Sequence, residues 1–274
     1  MHGRAMTIRF ELPPEHPHVA LVTIDRPAQA NSLDLPTLRE LARAWRRIAG
    51  DPEIRCAIVT GAGERVFCAG MDMKSTIPVA QRLARGERVE PEDFEGLRSV
   101  STALLAGFDL GTPLVCAVNG HARAGGFDLM LAAEIRLAVP HATFALEEVA
   151  LGLYPTGNAT VLLPRQIPWV HAMELLLTAR PIDAERAAAI GLVNRIVPPE
   201  ELLPAAFAAA DAIAANAPLA VRETRRGVRE LLARPLDEAY ARQEEIGRPL
   251  RKTEDAREAQ RAFVEKRKPR FRGR

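Results

Sequence analysis

The stretch Leu114 to Asp128, LVCAVNGHARAGGFD, constrains this chain more than any other. It reads as a buried strand (LVCAV), a turn, and a helix that begins at Gly125 and Gly126 with the acid Asp128 in its first turn. Glycines at a helix start leave backbone N–H groups approachable, and the helix dipole makes that point electropositive. Such a point can hold a developing oxyanion. Val66 to Lys74, VFCAGMDMK, has the same character: an apolar strand, Ala-Gly, then a polar turn. Taken alone, either segment is read first as a cap and close packing point. Taken together, two donors on separate loops and an acid nearby are the parts of a site that polarises a carbonyl and moves a proton beside it.

Strand and helix signals alternate up to about residue 200. HVALVTI (18–24) alternates as a strand does, and IRCAIVTG, VFCAG, LVCAVNG, IRLAV and FAL are short apolar strands. Leu35 to Gly50 has helical spacing, with Leu35, Leu38, Leu41, Ala42 and Trp45 on one face. Repeated strand–helix units predict an α/β layout with covered sheets. Residues 77–93 are charged and irregular and read as a mobile loop. After Pro198 the pattern becomes helical, rich in Ala, Leu, Arg and Glu, with Pro204, Pro218 and Pro235 near the joins. This divides the chain into a core over 1–198, carrying the site, and a helical region over 199–274.

Composition sets bounds. The chain of 274 residues, 47% hydrophobic and 26% charged, can bury a sizeable core. It has no apolar run of membrane-spanning length, and its first residues lack the apolar centre of a leader peptide. Cys56, Cys68 and Cys116 sit in apolar runs without paired spacing, as buried thiols of a reducing cytoplasm do. The six histidines show no ligand spacing, so no metal is expected. The tail from Lys266 to Arg274 carries six basic residues and no acid. With aromatics at 5% and no nucleic-acid motif, it reads as a solvated end or a patch for an anionic small molecule.

These motifs, in this order, resemble the enoyl-CoA hydratase/isomerase (crotonase) family. The resemblance starts at VALVTIDRPAQANSLD (19–34) and runs through CAIVTGAGERVFCAGMDMK (56–74) and LVCAVNGHARAGGFDLMLAAEIRLA (114–138). It continues in ATFALEEVALGLYPTGNATVLLPR (142–165) and AMELLLTARPIDAERAAAIGLVNRIV (172–197), and ends in TEDAREAQRAFVEKRKPRF (253–271). It implies a spiral of ββα repeats, an acyl-CoA substrate, a place in fatty-acid metabolism and no cofactor, coenzyme A being part of the substrate. It also implies a C-terminal helical region that packs on neighbouring subunits in homotrimers or pairs of trimers.

Carried over by motif, the oxyanion donors are the N–H groups of Met71 and Gly125. The acids are Asp128 and Glu148, 20 positions apart, which in the hydratase pattern hold one water for addition at C3 while a proton reaches C2. The carrier is expected along Ala28, Ala30, Ala69, Gly70, Asp72, Met73 and Lys74, with Pro155 and Gly157 beside the acids, and Phe263 and Lys266 at the nucleotide. Four departures stand out. Asp128 replaces a glutamate, as in the dienoyl-CoA isomerase branch, but the third acid of that branch falls on Thr156. Asn158 and Ala159 replace a glycine pair, Ala124 replaces the first of three glycines, and Arg123 stands where an apolar residue is usual. The expectation is an enoyl-CoA hydratase, with a double-bond isomerase and a degenerate acyl-CoA-binding protein as alternatives.

Overall fold

The structure, a computed structural model, describes residues 6–274. The reading of the chain's start as leaderless rests partly on residues 1–5, outside the described residues. The elements are β1 (Ile8–Glu11), β2 (Val19–Ile24), α1 (Leu35–Gly50), β3 (Cys56–Gly61), β4 (Val66–Cys68), α2 (Thr76–Ala84), α3 (Pro91–Arg98) and α4 (Val100–Ala103). Then come β5 (Leu114–Val118), β6 (His121–Arg123), α5 (Gly125–Leu131), β7 (Ile135–Ala138), β8 (Thr143–Ala145), α6 (Ala159–Gln166) and α7 (Trp169–Thr178). The chain closes with β9 (Ile182–Asp183), α8 (Ala184–Ala189), β10 (Arg195–Ile196), α9 (Leu202–Ala214), α10 (Pro218–Leu231), α11 (Leu236–Leu250) and α12 (Glu254–Val264).

Strands β2, β3 and β5 are buried at every residue, which is why they read as unbroken apolar runs. They lie inside a six-stranded sheet of order β1-β2-β3-β5-β7-β10, parallel except for β1 against β2. A second sheet, β4-β6-β8-β9, stands beside it. Successive pairs β3–β4, β5–β6 and β7–β8 each place one strand in either sheet before the chain passes through helices. Three such turns make the ββα spiral. They also bring the ends of β4, β6 and β8 side by side, and the chain leaves those ends at Ala69, Ala124 and Leu146 to build the site.

Helix α1 covers the large sheet with Leu38, Leu41, Ala42, Trp45 and Ile48. Its start is fixed by Asp34, whose side chain accepts from the Thr37 N–H at 2.9 Å. Trp45 donates from Nε1 to the Ala103 carbonyl at 2.9 Å, so its one polar atom is satisfied in the core.

Three expectations are corrected. Residues 77–93 are mostly helical: α3 opens at Pro91 with Glu92 and Asp93 in its first turn, where the dipole favours acids. Gly96 lets α3 lie against Leu35, since a Cβ there would be 2.7 Å from the Leu35 Cβ. The turn between β5 and α5 contains a strand, β6. The basic tail, expected as a solvated end or an anion patch, is strapped down: the buried Asp255 accepts from the Arg272 and Gly273 N–H groups at 2.7 and 2.8 Å, and Arg267 pairs with Glu258. Of the four helices after residue 198, α9 lies on the large sheet through Leu202, Ala206, Ala210 and Ala214. Helix α10 is tied to the core by Arg225, which pairs with Asp109 and Glu134, and α11 packs on α10. Among the described residues no single helix is long and apolar enough to cross a membrane.

Candidate active site

The site begins where the loop after β4 touches the start of α5. The segment 69–72 is pinned to the loop before α1: Ala69 N–H donates to Ala30 at 3.1 Å, Leu33 N–H to Gly70 at 2.8 Å, and Asp72 N–H to Leu33 at 3.0 Å. That exchange skips the Met71 N–H. The Gly125 N–H is the first of α5 and has no acceptor within its helix. Gly70 has φ +84°, and a Cβ on it would lie 3.0 Å from the Gly125 nitrogen and from the Ala124 Cβ. Only glycine permits this close approach of the 69–72 segment to the start of α5. Ala124 itself takes φ 43°, ψ −119°, a backbone region that costs any residue with a Cβ. The Met71 methyl and a Leu104 methyl lie over Gly125, 3.5 and 3.7 Å from where its Cβ would be, and so wall the space above the amides.

Asp128 is on the first turn of α5 and buried. Its Oδ1 accepts from the Asn158 N–H at 2.6 Å and the Ala159 N–H at 2.7 Å, the opening amides of α6. Burial pushes its carboxyl up to about 6, against the pull of those two donors. Gly157 is the glycine this requires, because a Cβ there would sit 2.2 Å from Asp128 Oδ2. Glu148 opens a short 3-10 turn, Glu148–Leu151, and its Oε2 is buried with no hydrogen-bond partner among the described residues. Burial pushes its carboxyl up to about 7; its own N–H opposes this, and the charges of Asp128 and Glu147 add to it. The charge of Asp128 thus reaches Glu148, as a smaller influence than burial.

The acid next door is occupied elsewhere. Glu147 meets Arg123 at 3.0 Å, and Arg123 also donates to Thr143 Oγ1 at 2.8 Å, which His121 Nδ1 meets at 2.9 Å. Arg123 is thus half-buried in a network of its own on β6, and Glu147 is engaged there.

The expected carrier positions separate. Ala28 and Ala30 line a cavity of about 330 Å³ with Asn31, Gly63 and Arg65. Ala69, Gly70 and Met71 run beside them. Asp72, though, spends its carboxylate within its loop, on Arg26 at 3.3 Å, Ser32 Oγ at 3.1 Å and the Lys74 and Ser75 N–H groups. Burial opposes its ionisation, but these donors prevail and hold it below the usual carboxylate range. Met73 and Lys74 are exposed. Pro155 is buried at the turn into α6. Phe263 and Lys266 are on the C-terminal arm, and Phe263 is 85% exposed. Cys56, Cys68 and Cys116 are buried in or beside strand hydrogen bonding, and burial raises all three thiols. Sequence reasoning missed the reach of Asn158 into this site. The only signal was a polar residue where glycine is usual.

A family model for enoyl-CoA hydratase/isomerase matches residues 15–274. Enoyl-CoA hydratase EchA19 of Mycobacterium tuberculosis is 42% identical over 94% of both chains. The (E)-benzylidenesuccinyl-CoA hydratase of Thauera aromatica is 38% identical over 93% of this chain and 96% of its own, and carnitinyl-CoA dehydratase of Proteus mirabilis is 38% identical over 92% and 94%. Among solved structures, an enoyl-CoA hydratase from Bacillus anthracis superposes with a TM-score of 0.87 at 33% identity, covering 98% of this chain and 100% of its own. The ββα spiral and these matches lead to one conclusion: the chain belongs to the enoyl-CoA hydratase/isomerase family and has the crotonase fold.

Proposed function

We propose that the protein is an enoyl-CoA hydratase that adds water across the double bond of a 2-enoyl-CoA. Support comes from one observation above all. Glu148 holds a buried, unpartnered carboxylate oxygen beside a second acid, and burial brings both carboxyls near neutrality. A group poised there can take a proton and return it at physiological pH. In this reading the thioester oxygen lies on the Met71 and Gly125 N–H groups. Glu148 takes a proton from water as the water oxygen bonds to C3. The alkene pair moves toward C2 and the thioester oxygen, where the amides stabilise the charge. The proton then goes to C2. The hydratase and dehydratase relatives, which by name act on CoA thioesters, point the same way. We further propose that coenzyme A enters only as part of the substrate, that no other cofactor or metal is needed, and that the protein works in the cytoplasm as a trimer or pair of trimers.

The hold of α6 on Asp128 Oδ1 favours a second reading. With that oxygen engaged, Glu148 alone can carry a proton between C2 and C4, which is double-bond isomerisation. The test is incubation with crotonyl-CoA and with 3-enoyl-CoA, following loss or gain of the conjugated-thioester absorbance and identifying the products. The hydratase reading expects 3-hydroxyacyl-CoA. Glu148→Gln is expected to cut turnover by roughly two to four orders of magnitude with binding retained. Full activity in that variant overturns the role of Glu148.

A further inference from the structure

Asn158 holds the position just before α6, where an asparagine ordinarily caps its own helix with its side chain. Here it makes no such bond. Its side chain, 4% exposed, turns back and donates from Nδ2 to the Leu104 carbonyl at 2.8 Å and to the Asp128 carbonyl at 2.9 Å. The capping role has passed to Asp128, whose carboxylate receives the Asn158 and Ala159 N–H groups. Asn158 thus ties three pieces of chain: the end of α4, which carries the Leu104 wall; α5, which carries Asp128 and the Gly125 amide; and the first turn of α6. A glycine here would offer the backbone N–H but neither side-chain bond.

We propose that Asn158 is a positioning residue of the acid pair: by clamping the Leu104 and Asp128 carbonyls it fixes where the Asp128 carboxylate stands in the acyl-CoA site. The role in turnover rests on the hydratase reading; the geometry does not. Without the clamp, α6 is free to shift against α5, and the two amides no longer hold Oδ1 at its present distances. Those donors favour the charged carboxylate, so loosening them raises the pH at which Asp128 ionises. Glu148, the titratable group on which the Asp128 charge acts, stays in place in every variant below.

The experiment has two arms. The first follows the Asp128 carboxyl by ¹³C NMR through a pH titration, assigned by its loss in Asp128→Asn, in wild type, Asn158→Ala and Asn158→Gly. Both variants are expected to move the Asp128 transition upward. Asp183→Ala, which removes an ordinary cap from α8, serves as the structural control: it is expected to lower the melting temperature and leave the transition in place. The second arm measures turnover of crotonyl-CoA, where kcat is expected to fall about tenfold with KM within about twofold, as misplacement of an acid does. An unchanged Asp128 transition in both Asn158 variants, or an equal shift in Asp183→Ala, overturns the proposal. Wild-type protein that does not turn over crotonyl-CoA overturns the hydratase reading instead, and the titration arm still decides the positioning role.

Discussion

At the scale of single residues, the acid pair has a cost in stability that depends on pH. An acid whose carboxyl is raised by folding binds its proton more tightly when folded. Its contribution is complete below the unfolded pKa, about 4 for these types, and is lost as pH rises through the folded value. For Asp128 and Glu148 the window runs from there to about 6 and about 7. Acids held low by donors, such as Asp72, act in the opposite sense and only at lower pH. Glu148→Gln is therefore expected to melt closer to, or above, wild type at pH 8 than at pH 5. A difference between the two proteins that does not change with pH shows that Glu148 is solvated and ordinary. How far such a site is legible in sequence depends on what carries each part. That Gly125 opens a helix with Asp128 in its first turn was legible, because helix starts favour few residue types there. The clamp made by Asn158 was not, since its partners are carbonyls of residues 104 and 128, far away in sequence and identical in every amino acid.

At the scale of elements, long buried strands were legible because burial on both faces demands unbroken apolar runs. Strand β6 was not: three residues with two half-buried polar side chains carry little signal, and pairing with β4 and β8 decides its form. Helix α3 was hidden by its charge, and α2, with Arg82 as its one charged residue, by Pro78 near its start. The junction of β6 and α5 carries a testable strain. Ala124 is a non-glycine residue at positive φ, and it donates its N–H to Ala145 at 3.0 Å. Such a conformation costs on the order of 1–3 kcal/mol, and glycine gives back roughly half to one of that through its freer unfolded chain. Ala124→Gly is expected to stabilise the protein by about 1 kcal/mol, which is about 2 °C in a melting curve for a chain of this size. A lower melting temperature shows that the Ala124 methyl contributes more by packing than it costs in backbone strain.

At the scale of the whole molecule, the spiral and the C-terminal arm behave differently. The core closes on itself, whereas α11 and α12 carry exposed Leu236, Tyr240, Phe263 and Val264. An exposed apolar stripe of this kind fits the expected contact with a neighbouring subunit. The tail beyond it was read by composition as a solvated end or an anion patch, and composition cannot see that one buried acid, Asp255, gathers it by two backbone donors. The same strap divides the tail's charges. Arg267 and Arg274 pair with Glu258 and Glu254, while Lys266, Lys268, Arg270 and Arg272 form no ion pair among the described residues. Deleting the tail after Val264 confuses two effects, because it also leaves Asp255 buried without those donors, a cost of about 1–3 kcal/mol. Changing Lys266, Lys268, Arg270 and Arg272 to Gln keeps the backbone bonds and removes only charge. If these residues meet the phosphates of coenzyme A, that variant raises KM for a CoA thioester, by on the order of 1 kcal/mol or less per contact, since exposed pairs are screened. KM for the short pantetheine analogue and kcat for both stay near wild type, and the salt dependence of KM weakens. An equal change for both substrates, or none for either, makes the tail a strap that holds the C-terminal arm in shape, with no part in reading the nucleotide.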